Sequence, residues 1–195
     1  MKNLIILLFI VLLSYPVMAQ EQTLISGEIE SGGYGGPFLK IGQINGETGL
    51  FMGGQGGWII NHTFVLGGIG YGLVNEVEAG GSQNLKLEFG CGGGLLEFII
   101  ASNKIVHFSV QSMIGAGGVK FAAIDYKEEY EEIDYSDDGF FVLEPGANVI
   151  INVSNNFRIG LGVTYRYING VDYADLSDSD LSGVSAQILL KFGDF

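Results

Sequence analysis

After residue 33, the chain is divided into apolar, Gly-rich runs that are joined alternately by very short and by long acidic segments. The short segments are Asn61-His62-Thr63, Ser102-Asn103-Lys104 and Ser154-Asn155-Asn156, and the long ones cover 76–84, 125–139 and 170–180. The runs are rich in Val, Ile and aromatic residues, which favour β-strands. Hairpins with short turns at one end and long loops at the other predict a meander of antiparallel strands.

The N-terminus has the pattern of a secretory signal. Lys2 precedes the apolar run Leu4–Leu13, and Val17-Met18-Ala19 supplies the small residues before a cleavage site at Gln20. We therefore divide the chain into a signal peptide (1–19), an N-terminal tail (20–34) and one sheet domain (35–195). The tail shows no strand pattern and is either a short periplasmic segment or an extension of the first strand. Because Cys91 is the only cysteine, no disulfide within the chain is possible.

Hydropathy and charge indicate where such a sheet lies. Mean hydropathy is +0.34 and the net charge is −13, yet only 16% of residues are charged, and these concentrate in the loops. A water-soluble sheet usually carries more charge on its exposed faces. Apolar strand faces are favourable in contact with lipid. The net negative charge argues against nucleic acid as a partner. The predicted fold class is therefore all-β: an eight-stranded antiparallel up-and-down transmembrane β-barrel.

Eight strands are predicted near 36–44, 48–60, 64–75, 84–101, 105–124, 140–153, 157–168 and 181–193. In the fourth, Leu87 and Phe89 precede a Gly run, and Phe98 follows it on the opposite parity. A β-bulge at Gly92–Gly94 would turn both sets toward lipid, and the fifth strand repeats the pattern around its own glycines. Aromatic residues near strand ends predict two girdles, with Trp58, Phe108 and Phe192 at the short turns and Tyr71, Phe140, Tyr165 and Tyr167 at the long loops.

The turn near Asn155 predicts which residues face each other across the sixth and seventh strands. Antiparallel pairing about Asn155 places Glu144 opposite Arg166 and Asn152 opposite Arg158, all with the parity assigned to the lumen. An unpaired charge is costly in a tight interior, whereas a hydrogen-bonded pair offsets much of that cost. We expect Glu144 and Arg166 to form a lumen ion pair.

Signal peptide, eight strands, short turns and the terminal Phe195 together resemble the small eight-stranded outer-membrane β-barrel proteins of Gram-negative bacteria, and the Gly-rich segments 32–37 and 53–62 resemble those of a Gly-rich subgroup. The resemblance implies location in the bacterial outer membrane, contact with its lipid and lipopolysaccharide, and handling by the barrel-assembly machinery during biogenesis. In that family a C-terminal Phe is the assembly signal. Phe195 is out of phase with the apolar face that ends in Phe192, so Phe192 is an alternative signal.

Candidate chemistry is sparse. His107-Phe108-Ser109 resembles the His-x-Ser element of outer-membrane lipid A deacylases, in which a nucleophilic Ser needs a His base and an orienting carboxylate. Here the pair points inward, away from lipid, and a polar lumen pair is the simpler interpretation. We assign no catalytic residue and expect no cofactor.

The acidic loops are the second candidate site. Weak cation binding is predicted for carboxylates of two loops, namely Glu128, Glu129, Glu131, Glu132, Asp175, Asp178 and Asp180. Their order does not match an EF-hand, and blocks of like charge usually stay solvated, so we predict no specific metal site.

Three function classes follow. The first is a non-enzymatic barrel with a structural or surface-interaction role through its acidic extracellular loops and a surface partner that the sequence leaves unknown. The alternative is a small-solute porin or lumen-binding barrel, for which inward glycines such as Gly68, Gly70, Gly160 and Gly162 would leave room. A lipid-modifying hydrolase is a distant third.

Overall fold

The computed structural model describes residues 30–78, 85–123, 138–172 and 176–195. Eight strands close into a barrel, each antiparallel to its neighbours, with β8 paired to β1. Their bounds are β1 (Ser31–Ile44), β2 (Glu47–Ile60), β3 (Phe64–Leu73), β4 (Leu85–Ile100), β5 (Val106–Ala123), β6 (Asp138–Ser154), β7 (Phe157–Asn169) and β8 (Gly183–Asp194). The predicted fold class is confirmed.

The barrel has a turn end, which carries the three short turns and the start of β1, and a loop end, which carries the three longer connections and the two-residue β1–β2 turn. At the loop end, β1 and β2 are joined by Asn45-Gly46, with φ of 51° and 76°. Positive φ at both positions is the type I′ geometry that Asn-Gly favours in tight hairpins. A single-turn helix, α1 (Asp178–Leu181), lies between β7 and β8. Among the residues described, no helix is long and apolar enough to cross a bilayer.

The first strand begins before its predicted start, as in the alternative in which the tail extends this strand. β1 begins at Ser31 rather than near residue 36, so the end of the segment assigned to the tail belongs to the first strand. Gly32 and Gly33 pair with Ile59 and Trp58 of β2, which accounts for the extension. The predicted signal peptide lies outside the described residues.

Side chains alternate between the lumen and the outer surface. In β7, Arg158 and Arg166 are buried inside, whereas Leu161 and Val163 are exposed outside. The predicted bulge in β4 is wrong: β4 pairs with β5 without a register shift, and Leu87 and Phe89 point inward. The loop half of the lumen contains a large apolar cluster, so these residues meet other aromatic rings there instead of lipid.

Two apolar clusters lie inside the barrel. The larger one fills the loop half and includes Phe51, Tyr71, Phe89 and Phe140, whose rings pack 5.4–6.2 Å apart. The smaller one lies at the turn end and consists of Tyr34, Ile59, Val65 and Ile99, with Phe195 packed against it.

Outside the barrel, the aromatic girdle is confirmed at the turn end, where Trp58, Phe108 and Phe192 are exposed. At the loop end the prediction is only half right. Tyr165 and Tyr167 are exposed, but Tyr71 and Phe140 are buried in the lumen, where they pack in the larger cluster.

Candidate functional site in the barrel lumen

Polar side chains of the described residues concentrate inside the barrel rather than on its outer wall. The buried polar set is Lys40, Gln55, Glu97, His107, Ser109, Gln111, Glu144, Asn148, Arg158, Thr164, Arg166, Ser185, Gln187 and Lys191. An eight-stranded barrel has an interior that side chains just fill. These residues therefore decide whether anything can enter.

An upper triad lies toward the loop end. Lys40 Nζ donates to Glu144 Oε1, and Tyr71 Oη donates to Glu144 Oε2. The Lys40 ammonium also lies 4.1 Å from the centre of the Tyr71 ring. The three residues come from β1, β6 and β3, so the triad connects separate parts of the barrel wall.

A lower triad of the same composition lies toward the turn end. Lys191 Nζ donates to Glu97 Oε1 at 2.5 Å, and Tyr34 Oη donates to Glu97 Oε2 at 2.6 Å. Lys191 again lies over the tyrosine ring, 4.3 Å from the centre of Tyr34. Gln55 Nε2 donates to Tyr34 Oη at 3.0 Å and links the triad to β2.

A layer of amides separates the triads. Gln187 Nε2 donates to Asn148 Oδ1 at 2.7 Å, and Asn148 Nδ2 donates to Gln111 Oε1 at 3.0 Å and to Ser109 Oγ at 3.2 Å. Buried polar groups that bond to one another hold fixed rotamers. Triads and amides together occupy the lumen along its length.

The predicted ion pair between Glu144 and Arg166 is wrong, although the register behind it is right. Asn152 pairs with Arg158 as expected, and both Glu144 and Arg166 are buried in the lumen. Glu144 instead binds Lys40, which reaches it from β1 across the lumen. Arg166 extends toward the loop end and donates to backbone carbonyl groups, so its guanidinium is engaged away from the carboxylate.

At the loop end, Arg166 holds a cover over the lumen. Its Nε donates to the carbonyl oxygen of Leu181 at 2.6 Å, and its Nη2 donates to that of Gln43 at 3.0 Å. Leu181 is completely buried, and the backbone of Asn45 donates to Asp180 O at 2.6 Å. The α1 segment is thus fastened to both β7 and the β1–β2 turn.

At the turn end, Phe195 closes the lumen. Its ring stacks on Tyr34 with centroids 6.1 Å apart, and the Arg158 guanidinium carbon lies 3.9 Å from the ring centre.

Positive side chains outnumber negative ones in the lumen. In the part of the chain that the structure describes, four cationic side chains are buried, those of Lys40, Arg158, Arg166 and Lys191, together with two carboxylates. The lumen is therefore electropositive inside a strongly acidic protein.

The His-x-Ser pair does not assemble a catalytic triad. His107 and Ser109 point inward as predicted, but His107 Nδ1 lies 3.3 Å from Lys104 O, and Ser109 Oγ accepts from Asn148. Among the hydrogen bonds of the described residues there is none between His107 and Ser109. The nearby carboxylate, Glu97, is already paired with Lys191 and accepts from Tyr34. A nucleophilic serine needs its base within hydrogen-bond reach, which this arrangement does not provide.

The acidic-loop residues are only partly placed. Glu128, Glu129, Glu131, Glu132 and Asp175 lie outside the described residues, so their cation binding stays a prediction.

The two placed loop carboxylates have local partners. Asp178 accepts from the backbone of Val171 at 2.9 Å, and Asp180 accepts from the backbone and hydroxyl of Ser177 at 2.8 and 2.6 Å. They fasten α1, and no group of three potential metal ligands is found in the described ranges.

Sequence reasoning missed the triads. Lys40, Tyr34 and Tyr71 are not predicted from the sequence to lie in the lumen. The alternation along each strand was the available signal, because all members of the two triads, including Glu97 and Lys191, lie on the inward face of their strands.

No protein-family model matches the chain, and no curated protein resembles it in sequence. Solved structures do. Neisserial surface protein A is 11% identical, with 86% of this chain and 99% of that one covered and a TM-score of 0.56. The N-terminal β-barrel domain of Pseudomonas aeruginosa OprF is 8% identical, with 85% and 99% covered and a TM-score of 0.54.

The chain has the fold of the small eight-stranded outer-membrane β-barrels. A third such barrel, the attachment invasion locus protein Ail of Yersinia pestis in complex with the heparin analogue sucrose octasulfate, is 17% identical, with 86% and 99% covered and a TM-score of 0.51. At these identities the likeness to outer-membrane β-barrels concerns the fold.

Proposed function

We propose that the protein is a non-enzymatic β-barrel of the bacterial outer membrane with a structural or surface-interaction role through its acidic extracellular loops. The observation that carries this proposal is the filled lumen. Two buried Lys–Glu–Tyr triads and an amide layer occupy it, α1 covers the loop end, and Phe195 covers the turn end. A barrel whose described lumen is filled in this way offers mainly its loops and its outer wall to partners.

The outer wall supports the membrane location. Its large exposed side chains are apolar along the middle of β7 and β8, including Leu161, Val163, Ile188 and Phe192, and exposed polar residues occur at the strand ends, at Asn169 and Asp194. Exposed apolar area of this extent is costly in water and favourable in lipid. Outer-membrane lipid and lipopolysaccharide are then the surroundings of the wall. Phe192, which faces outward, is the better placed of the two C-terminal phenylalanines for contact with the barrel-assembly machinery.

The charge distribution supports a role for the loops. Of the segment 125–139, eight residues are acidic by sequence: Asp125, Glu128, Glu129, Glu131, Glu132, Asp134, Asp137 and Asp138. Neisserial surface protein A is a surface protein by name, and its shared fold supports the proposal of a surface role here. The heparin analogue bound to Ail is polyanionic, and acidic loops repel such a ligand, so we do not extend that ligand to this chain.

A small-solute pore is the second candidate. The electropositive lumen favours it, because buried cations would select for anions if a passage opened. Conductance in planar bilayers separates the two functions. We expect no stable conductance from the purified protein, and reproducible anion-selective steps would contradict the closed-lumen proposal.

Labelling on intact cells tests location and orientation together. Ser179→Cys places a thiol on α1 at the loop end, and Asn155→Cys places one in the β6–β7 turn at the opposite end. We expect a membrane-impermeant maleimide to label the first variant and not the second, with Cys91 as a buried internal background. Labelling of neither variant, or recovery of the protein in the soluble fraction, would contradict the proposed topology.

A further inference from the structure

On the outer wall, three successive cross-strand pairs of β3 and β4 consist of glycine alone and present no side chain. Six glycines form this surface, here called the glycine face: Gly68, Gly70, Gly72, Gly90, Gly92 and Gly94. They pair directly across the two strands, with Gly68 opposite Gly94, Gly70 opposite Gly92 and Gly72 opposite Gly90. The sequence prediction that Gly68 and Gly70 point into the lumen is therefore wrong, since Ile69 and Tyr71 occupy the inward positions.

The barrel's own packing does not require glycine at most of this face. A Cβ atom on Gly94 would lie 3.9 Å from the nearest atom, and one on Gly68 or Gly90 would lie 3.8 Å away, which is ordinary contact. The inward neighbour Gly93 is different, because a Cβ there would lie 2.6 Å from the Gly115 Cα. Glycine weakens a strand, and in a strand interior it often marks the close approach of another backbone.

A charged pair stands beside the glycine face, toward the loop end. Glu88 and Lys120 are register partners on β4 and β5, and their side chains point outward with 3.3 Å between Nζ and Oε2. Nearly half of each side chain is exposed. The opposite wall differs at comparable positions, where Leu161, Val163 and Ile188 project into the surroundings.

We propose that a second copy of this chain docks on the glycine face, with the Glu88–Lys120 pairs of both copies meeting at a two-fold axis. A two-fold axis parallel to the barrel axis and beside β4–β5 brings Glu88 of each copy toward Lys120 of the other. The four charges then alternate in sign around the axis, so the Glu88–Lys120 pair of one copy is complementary to the same pair of the other copy. Such an isologous contact needs no other protein.

The membrane setting favours this occupant. Lipid tails are as apolar as leucine, so surfaces inside a bilayer associate through close van der Waals packing and polar contacts, and small residues permit that packing. The glycine face permits the close approach of the second copy. The Glu88–Lys120 pair fixes the orientation of that copy and makes the contact specific. Lys86, which neighbours Glu88 on the outer wall, adds a further charge at this rim.

Charge exchange tests the proposal directly. Dimer formation is followed by energy transfer between labelled copies in phosphatidylcholine vesicles, after gel mobility before and after heating shows that each variant is folded. Glu88→Lys alone and Lys120→Glu alone should each lower the dimer fraction at least about tenfold, because like charges then meet across the axis. An equal mixture of the two variants should restore it. A monomeric original protein, or a mixture that stays monomeric, would overturn the proposal.

Added bulk tests the glycine face separately. Gly94→Leu should abolish energy transfer, because the side chain projects into the contact while the barrel has room for it. Ala186→Leu is the matched control, since Ala186 is an exposed small residue on the opposite wall. It should leave the dimer fraction unchanged. A dimer that tolerates Gly94→Leu, or that is lost equally with Ala186→Leu, would show that this face is covered by lipid alone.

Discussion

Lys191 on β8 and Glu97 on β4 form an ion pair across the full width of the lumen, with 2.5 Å between Nζ and Oε1. Their strands lie on opposite sides of the barrel, four positions apart in the closed order. The upper triad repeats the same chemistry between Lys40 and Glu144. Each cation lies over a tyrosine ring whose hydroxyl bonds to the same carboxylate. The two Lys–Glu ion pairs therefore connect strands that share no hydrogen-bonded edge.

The lower triad should show strong coupling between its two charges. Breaking a buried pair by removing one partner costs about 3–5 kcal/mol, because it leaves an uncompensated charge. Glu97→Gln alone and Lys191→Met alone should each destabilise the barrel by this amount, and the double variant should be more stable than either. Urea unfolding in lipid vesicles measures these free energies. Additive losses would mean that the two charges do not interact.

The tyrosine hydroxyls should contribute independently of the charges. Tyr71→Phe removes the Oη that donates to Glu144 and keeps the ring beneath Lys40. Hydrogen bonds to charged groups contribute about 1.5–3 kcal/mol, so the free energy of unfolding should fall by that amount. Tyr165→Phe is the control, because Tyr165 is exposed on the outer wall, and it should change stability by less than about 0.5 kcal/mol. Equal effects of the two variants would contradict the role given to Tyr71.

The two C-terminal phenylalanines should separate assembly from stability. Phe195 packs inside on Tyr34 and Arg158, so Phe195→Ala should lower the free energy of unfolding by about 1–2 kcal/mol and leave the assembled yield unchanged. Phe192 faces outward and stacks on Phe157 with centroids 4.8 Å apart. Phe192→Ala should reduce the amount of protein assembled in outer membranes. A normal yield of Phe192→Ala with loss of Phe195→Ala would assign the assembly signal to Phe195.

The residues that sequence reasoning placed correctly are those governed by alternation within one hairpin. Arg158 and Arg166 face the lumen as predicted, and the β6–β7 register is right. The partner of Glu144 was not predictable in this way, because Lys40 lies 104 positions away and meets it only once the sheet closes. Closure, tilt and stagger decide which strands face each other across a lumen, and they leave no local pattern.

Phe89 illustrates a second limit. An apolar side chain suits lipid outside and an aromatic cluster inside equally well, so hydropathy does not distinguish the two faces of β4. The structure places Phe89 in the lumen, stacked on Phe140 with centroids 5.4 Å apart. The inferred bulge followed from assigning every apolar residue to lipid.

The acidic loop before β6 should be dispensable for assembly. Replacing Glu128, Glu129, Glu131 and Glu132 with Gln removes like charges that are solvated on our interpretation, so heat-modifiable migration and midpoint of thermal unfolding should change little. The measurement is repeated with and without Ca²⁺. Stabilisation of the original protein by Ca²⁺, absent from the variant, would establish a cation site in this loop.

The cover at the loop end should depend on Arg166. Arg166→Met keeps an unbranched apolar side chain but removes the guanidinium, which lies 4.6 Å from the Phe51 ring centre and 5.0 Å from that of Phe89, and with it both donors to the carbonyls of Leu181 and Gln43. Hydrogen bonds from a charged donor contribute about 1.5–3 kcal/mol. Their loss should raise the population of molecules in which α1 is detached from the lumen roughly tenfold to a hundredfold. Chymotrypsin cleavage after Leu176 and Leu181 in vesicles reports that population, because both side chains are buried while the segment is closed.

Ser179→Ala, which alters an exposed residue of the same helix, is the control for this cleavage assay and should leave the cleavage rate unchanged. Equal rates for Arg166→Met and the original protein would show that the hydrophobic contacts of Leu176 and Leu181 hold the cover without the arginine.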